Sequence, residues 1–412
     1  MSELAPAPNL RHLRMVQVIG RVGGVSGAAR ELCASQPSVT QALANVEAEI
    51  GTPIFERGAT GTYPTALGTQ YLLRIERFFE ILDAALAQVL GRSGGGPGRS
   101  EPRADRLMTG TQMRALIVTS EQEQVGEITQ RLGLRSASVF RTARLLERRL
   151  GKPLLDRTAQ GPIPNRTGAL LAREFRRAAR EIELARGEML LAAGAESLVL
   201  VVGTLPMAGS REMAEATRRF MASHPSVQVR LVSGEYDKLL ADLSNSRIDM
   251  IFGMLRKPAW ASEVGEELLF RDSYCVVTRP GHPLAASEDV KAADLARFDW
   301  VVPAPGTPRR ARIEAIFDGL RERPRFHLET SSLTLSRAVL LGSDTITLMT
   351  RSEVQSDIDL GTLVALRCRH FDDVLPKGVT TRSGWLPTRA HAAFLECLRE
   401  VTSQSRPVPS MP

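Results

Sequence analysis

The sequence predicts an α/β chain overall: two helix-rich modules, each closed by a long helix, ahead of a domain in which strands and helices alternate. Three observations predict it. The run GRSGGGPGRSEPR (Gly91–Arg103) cannot hold a helix or strand and separates two helical blocks. The turn-forming residues Gly51, Pro53, Pro64 and Gly68 recur as Gly151, Pro153, Pro164 and Gly168, an offset of 100 residues. From Leu198 onward, short apolar runs alternate with amphipathic stretches. With a weaker break at Ala192–Ala195, the 412 residues divide into a first module at 1–91, a flexible linker at 92–104, a second module at 105–192, an α/β domain at 196–402 and a disordered tail at 403–412.

Charge narrows the function. Lys and Arg total 53 against 46 Asp and Glu, a net charge of +7. Residues 1–194 hold 26 basic and 19 acidic side chains, whereas 195–412 hold 27 of each, so the whole surplus lies in the first half and points to a polyanionic partner there. The four cysteines, Cys33, Cys275, Cys368 and Cys397, show no metal-ligand spacing; no zinc site, disulfide framework or other cofactor is expected. No Gly-rich phosphate loop, HExxH or GxSxG occurs, which argues against an enzyme. The N-terminus lacks a basic start followed by an apolar run, and no stretch approaches the roughly 18 apolar residues of a membrane span, so a cytoplasmic protein is expected.

In the first module, Leu10, Leu13, Val16 and Ile19 form a helical stripe over Leu10–Val22. Ser26 is placed to cap a short helix to Leu32. Ser35 then caps a helix that carries Pro37 in its first turn, packs through Val39, Leu43 and Val46, and stops at Gly51. Thr52–Pro64, rich in Gly and Pro around IFER, suits a short β-wing, and Ala66–Leu90 a long helix. Two short helices joined by a tight turn, then a wing and a long helix, make a winged helix-turn-helix.

At this point Ser26-x-Ala28-Ala29-x-x-Leu32-x-x-Ser35-Gln36-Pro37-Ser38-Val39-Thr40, with Val46-Glu47, Ile50-Gly51-x-x-Ile54-Phe55-x-Arg57 and Thr65-x-x-Gly68, resembles the LysR-type transcriptional regulators. The resemblance implies double-stranded promoter DNA as partner and places Ser35, Gln36, Pro37, Ser38, Thr40 and Gln41 on base edges, with Arg30 nearby and Arg57 at the wing base. It also implies dimerisation through the long helix, at Phe78, Phe79 and Leu82, a homodimer or homotetramer, and room for a contact with RNA polymerase. The family has one such module; this chain carries a second, with Val39 and Glu47 returning as Val139 and Glu147. The second copy has lost the signature, since Gln36-Pro37 becomes Ser136-Ala137, but it carries 16 basic and 10 acidic groups against seven and eight in residues 1–91. Arg135, Arg141 and Arg144 are expected to contact phosphates there.

In the α/β domain, strands are expected at 198–203, 227–233, 250–253, 299–303, 325–330, 345–350, 363–368 and 379–383, with two more within LLFRDSYCVVT (268–278). Helices are expected at Pro206–Ser223, Tyr236–Asn245, Pro308–Glu322, Leu333–Leu341 and Pro387–Val401. GTLP, RIDMIFG and CVVTRPGHPLA resemble the effector domain of the same family, a two-lobed type 2 periplasmic-binding-protein fold, and GMLRKP and PAPGTPRR its sugar and aromatic-catabolism branch. Lobe I would span about 196–277 and 369–402, and lobe II about 278–368, with strands exchanged near Val276–Arg279 and Leu366–Arg369. Ligands bind such sheets beyond the carboxyl ends of strands, which selects Gly203, Thr204, Leu205, Pro206, Ser233, Arg256, Gly306, Thr307 and Ser331. Helix starts after Leu205 and Thr307 and the Arg256 guanidinium favour an anion, so the expected inducer is a small carboxylate, phenolic acid or sugar. The alternative is a redox-sensing regulator working through Cys275 and Cys368, which precede the expected lobe crossings.

Overall fold

The computed structural model describes residues 7–58, 61–91, 102–121, 136–158, 161–195, 198–205, 209–256, 263–368 and 373–404. The chain divides into two compact units, the first up to Val199 together with the short segments Ser226–Gln228 and Ser244–Arg247, the second the rest from Leu200. Among the described residues, no helix is long and apolar enough to cross a membrane.

The first unit opens with α1 (Leu10–Val22), capped by the Asn9 side chain and ended by Gly23 at φ 76°. Next, α2 (Val25–Leu32) starts from Gly24 rather than from Ser26, which lies exposed inside the first turn; glycine supplies the entry and no side chain caps this helix. Cys33 turns the chain in the left-handed region, and α3 (Gln36–Ile50) follows with Ser35 as N-cap and Gly51 as C-cap. Strands β1 (Phe55–Gly58) and β2 (Gly61–Pro64) pair antiparallel as the wing. Helix α4 (Ala66–Leu90) completes the module, its first turn capped by Thr65.

The same frame returns 100 residues later. After a short turn, α5 (Ala104–Leu107), come α6 (Gly110–Thr119), α7 (Ser136–Leu150), the antiparallel pair β3 (Leu155–Thr158) and β4 (Gly161–Pro164), and α8 (Arg166–Ala192). The counterpart of α2 would fall within 122–135, outside the described residues, as do most of the Gly-rich linker and the tail from 405. Ser403 and Gln404, expected in the disordered tail, are the last turn of a helix. The local devices match pair by pair. Glu47 accepts the Ile54 N–H at 2.7 Å, and Glu147 accepts that of Leu154 at 2.7 Å. Each carboxylate ties the helix end to the wing, a charge-assisted contact of the stronger kind.

One expectation about this unit is overturned. The family resemblance places Phe78, Phe79 and Leu82 at an interface between copies, yet they are buried in a core shared with Leu171, Phe175, Ala178 and Ala179 of α8. An amphipathic stripe states that a face is covered without stating by what, and here the cover is the chain's own second long helix.

The second unit is a mixed sheet in the order β11-β8-β13-β7-β5-β6, built from β5 (Leu198–Thr204), β6 (Val227–Ser233), β7 (Met250–Met254), β8 (Val264–Thr278), β11 (Thr347–Thr350) and β13 (Val374–Arg382). The parallel pair β9 (Trp300–Val302) and β10 (Phe326–Glu329) and the two-residue β12 (Val364–Ala365) complete it. Its helices are α9 (Ser210–Ser223), α10 (Tyr236–Ser244), α11 (Ala292–Leu295), α12 (Pro308–Ile316), α13 (Leu333–Gly342), α14 (Arg351–Asp359) and α15 (Arg389–Gln404). Two lobes arise because β8 changes partners along its length. Val264–Ser273 pairs with β13, and Tyr274–Val277 pairs with β11.

Several boundaries move. LLFRDSYCVVT is one continuous strand, not two; its polar centre, Arg271-Asp272-Ser273, is where the strand crosses between lobes rather than a turn. The crossing therefore precedes Val276–Arg279, and the return is carried by β13 from Val374, after Leu366–Arg369. Helix α12 stops at Ile316, six residues early, and α9 begins at Ser210 behind Gly209 at φ 106°, not directly after Leu205.

Candidate nucleic-acid interface and ligand site

Helix α3 sorts its side chains by face. Val39, Ala42, Val46 and Ile50 are buried, whereas Ser35, Gln36, Pro37, Ser38, Thr40 and Gln41 are all exposed. The Ser35 hydroxyl accepts the Ser38 N–H at 3.3 Å and lies 2.8 Å from the Ser38 hydroxyl, Thr40 donates to the Gln36 carbonyl at 3.0 Å, and Gln41 donates to Asn45 at 2.9 Å. These short-range bonds hold polar groups around a helix N-terminus with no acidic residue in its first turn, an electropositive end suited to phosphate or base acceptors. Arg30 is exposed on α2, and Arg57 lies in β1 opposite Thr62.

On α7, Arg141 is exposed and Arg144 half-buried, while Arg135 lies outside the described residues. Much of the basic surplus of this module is tied down elsewhere. Arg173 and Arg177 pair with Glu174, Arg176 with Glu121, Arg180 with Glu183 and Arg186 with Glu49. Arg149 donates to the Arg106 carbonyl at 2.7 Å.

In the second unit, Thr204 and Ser233 are brought together, their hydroxyls 3.0 Å apart at the ends of β5 and β6. Arg256 is exposed, stacks 4.4 Å from the Tyr236 ring centroid and forms no ion pair among the described residues. Gly203 has a packing role: a Cβ there would lie 2.7 Å from Ile248 Cδ1. Leu205 is buried and Pro206 lies outside the described residues. On the other lobe, Thr307 caps α12 by accepting the Arg310 N–H at 3.2 Å; Gly306 (φ 81°) and Ser331 are exposed.

Sequence reasoning missed the polar centre at the lobe crossing. Lys377 of β13 is 1% exposed, and its ammonium lies 2.5 Å from the Asp272 carboxylate while donating to Thr350 and Ser352 at 2.9 Å each. Ser352 donates to the same carboxylate at 2.6 Å. Burial pushes Asp272 upward, but the Lys377 charge and hydrogen bonds from Lys377, Ser352 and the Ser273 N–H prevail and hold it below the usual carboxylate range. Burial raises Glu212 and Glu353, with Lys377 opposing in both. Glu212 Oε2, Glu353 Oε1 and the Tyr236 hydroxyl are buried with no hydrogen-bond partner among the described residues. A signal existed: in a chain with 48 Arg and five Lys, one lysine directly follows the apolar run Val374-Leu375-Pro376.

Cys275 and Cys368 belong to separate hydrophobic cores, and burial pushes the Cys275 thiol up to about 12. Thiolates, not thiols, react with oxidants, so this environment does not favour the redox alternative.

Two family models match the chain: the bacterial regulatory helix-turn-helix protein, lysR family, over residues 10–69, and the LysR substrate binding domain over 193–403. The HTH-type transcriptional regulator GalR of Pseudomonas putida is 30% identical over 400 residues, covering 96% of this chain and 98% of that protein. PcaQ of Agrobacterium fabrum is 26% identical, covering 71% of this chain and 94% of its own. A full-length OxyR variant from Pseudomonas aeruginosa shares the fold with a TM-score of 0.53 at 19% identity, covering 74% of this chain and 99% of that one.

Proposed function

The chain belongs to the LysR family of DNA-binding transcriptional regulators with an effector-binding domain, and we propose that it reads promoter DNA through α3 while a second winged helix-turn-helix, at 105–192, contacts phosphates. The observation that carries this reading is the exposed run Ser35–Gln41 at the capped start of α3. Gln36 and Gln41 match adenine edges, and the serines and Thr40 serve bases or phosphates. Arg30 and Arg57 add backbone contacts. In the second module, Arg135, Arg141 and Arg144 take the phosphate role. The alignment with GalR runs the length of both proteins, which supports treating the extra module as a functional part. Any contact with RNA polymerase belongs to the same reading.

Footprinting on the DNA upstream of the chain's own gene tests it. Gln36→Ala weakens specific sites selectively, by about 1–3 kcal/mol. Arg144→Ala weakens all DNA and flattens the slope of log affinity against log salt by about one. An unchanged slope removes the second module from the DNA.

The inducer is a small carboxylate, phenolic acid or sugar held between the lobes. Arg256 takes a carboxylate, Thr204 and Ser233 offer hydroxyls on one lobe, and Gly306, Thr307 and Ser331 line the other; main-chain groups of Gly203 and Leu205 shape the floor, and Pro206 follows them in sequence. The buried, unpartnered oxygens of Glu212 and Glu353 suit ligand hydroxyls. A ligand present at 100 times its Kd stabilises by about 2.7 kcal/mol, so a thermal-shift screen of these three classes is expected to find a clear rise in Tm. A broad screen in which only other classes raise it overturns the assignment.

A further inference from the structure

The two long helices are matched to each other and mismatched to themselves. The N-terminal half of α4 meets the C-terminal half of α8, the order of an antiparallel pair. Arg74, 2% exposed, pairs with Glu181 at 2.8 Å and with Glu188 at 3.3 Å, and Arg77 lies 3.7 Å from Glu181. A small cavity lined by Tyr71, Ile182 and Arg186 repeats this register.

The offset of 100 then shows what other pairings would bring together. The positions of Glu181 and Glu188 are held in α4 by Ile81 and Gln88, and the position of Arg74 is held in α8 by Glu174. Pairing α4 with the α4 of another copy would bury Arg74 with no carboxylate at either contact position, and a buried charge without a counter-charge is strongly disfavoured. Pairing α8 with another α8 would set Glu174 against Glu181 and Glu188, acid against acid at the buried position of Arg74, leaving only Arg177, at the more exposed position of Arg77, to face Glu181. Size follows the same division. Phe78 and Phe79, fully buried and edge-to-face at 5.0 Å, correspond to Ala178 and Ala179, and all four share one core. An α4 self-pair crowds four rings at the crossing, and an α8 self-pair leaves a void there; both arrangements cost stability.

From this we infer that α4 and α8 of one chain form the complete long-helix pair, so that a single chain, rather than two exchanging α4, is the DNA-facing reader. The inference rests on the reading of 105–192 as a second DNA-facing module. Because the two modules differ, such a reader takes an asymmetric site with one specific half per chain, since operator symmetry follows protein symmetry.

The test uses the full-length chain with exposed Cys33 and half-buried Cys397 changed to serine. Glu49→Cys and Arg186→Cys are added at a surface contact of 3.3 Å between α3 and α8. A short bismaleimide is applied to the free protein and to its DNA complex. The expected product is an internal cross-link that runs as one chain on a denaturing gel and is independent of protein concentration. A product of two chains, or no cross-link, overturns the inference. A second arm follows the charges. Arg74→Glu is expected to lose at least tenfold in specific DNA affinity, and adding Glu181→Arg with Glu188→Arg to restore most of it; failure of the triple variant to recover, while the single variant still folds, also overturns it. An internal cross-link together with an Arg144→Ala variant of unchanged salt slope leaves the pairing standing and removes only the DNA role of the second module.

Discussion

Replacing Lys377 with methionine is expected to destabilise the effector unit by about 3–5 kcal/mol at pH 7, because it strands the buried carboxylate of Asp272. Methionine keeps the length of the side chain, so the loss reports charge rather than volume. The ammonium also donates to Thr350 and Ser352, on β11 and α14 of one lobe, from a strand that pairs with β7 in the other. The substitution therefore loosens the crossing between the two lobes.

The pH dependence has a definite sign. Asp272 is held below its ordinary value in the folded protein, so its contribution is fully present above that ordinary value and is lost only as pH falls through the lower folded value. Glu212 and Glu353 lie above theirs; stability from these two is present at acidic pH and is lost as pH rises through their folded values. Removing Lys377 takes away the charge that lowers all three carboxyls, so the variant binds more protons in the folded state. Its deficit relative to the parent is expected to shrink steadily from pH 7 towards pH 4.5, as measured by denaturant unfolding of the effector unit. A deficit constant with pH would mean that packing, not the charge on Lys377, holds the crossing. Asp272→Asn in the Lys377→Met background is expected to recover part of the loss, which a packing role would not allow.

What the sequence made legible follows from what kind of signal each feature leaves. Turn residues are local: Gly51, Gly68, Gly151 and Gly168 mark the ends and wings of both modules, and the helices ended where they indicated. Caps are local too, and Ser35 acts as read. Ser26 did not, because Gly24 already supplied the entry to α2. Long-range choices left weaker traces. The polar triplet Arg271-Asp272-Ser273 inside an apolar run reads as a turn unless one knows that Lys377 waits on a strand a hundred residues later. The stripe at Phe78, Phe79 and Leu82 asked for a cover, and only the comparison with Glu181, Glu188 and Ala179 identifies which surface satisfies it. Net charge is a coarse signal in a related way: the helix α8 contributes arginines to the basic count, but several are spent on ion pairs, leaving α7 as the exposed basic face.

Gly68→Ala and Gly168→Ala are each expected to cost more than about 3 kcal/mol in the first compact unit, and to do so through the same atoms. A Cβ on Gly68 would stand 1.9 Å from the Ile54 carbonyl oxygen, and one on Gly168 would stand 2.0 Å from that of Leu154. Those oxygens are not free to move away, since each also accepts a backbone N–H at 2.9 Å, from Thr65 and Asn165 respectively. Relief requires shifting the wing away from the first turn of the long helix, which releases the Glu47 or Glu147 clasp as well. Because α4 and α8 share one core, damage in either module must reach the other. Amide exchange is the informative measurement: Gly168→Ala is expected to lower protection in α4 as well as in α8, and to weaken specific DNA binding although it touches no residue of α3. Alanine at Gly151, which has φ 64° and open space around its Cβ, serves as the control and is expected to cost only about 1 kcal/mol, the backbone penalty alone. If Gly168→Ala leaves α4 protected while α8 frays, the two modules fold independently, and the shared core cannot be what fixes α3 against α7.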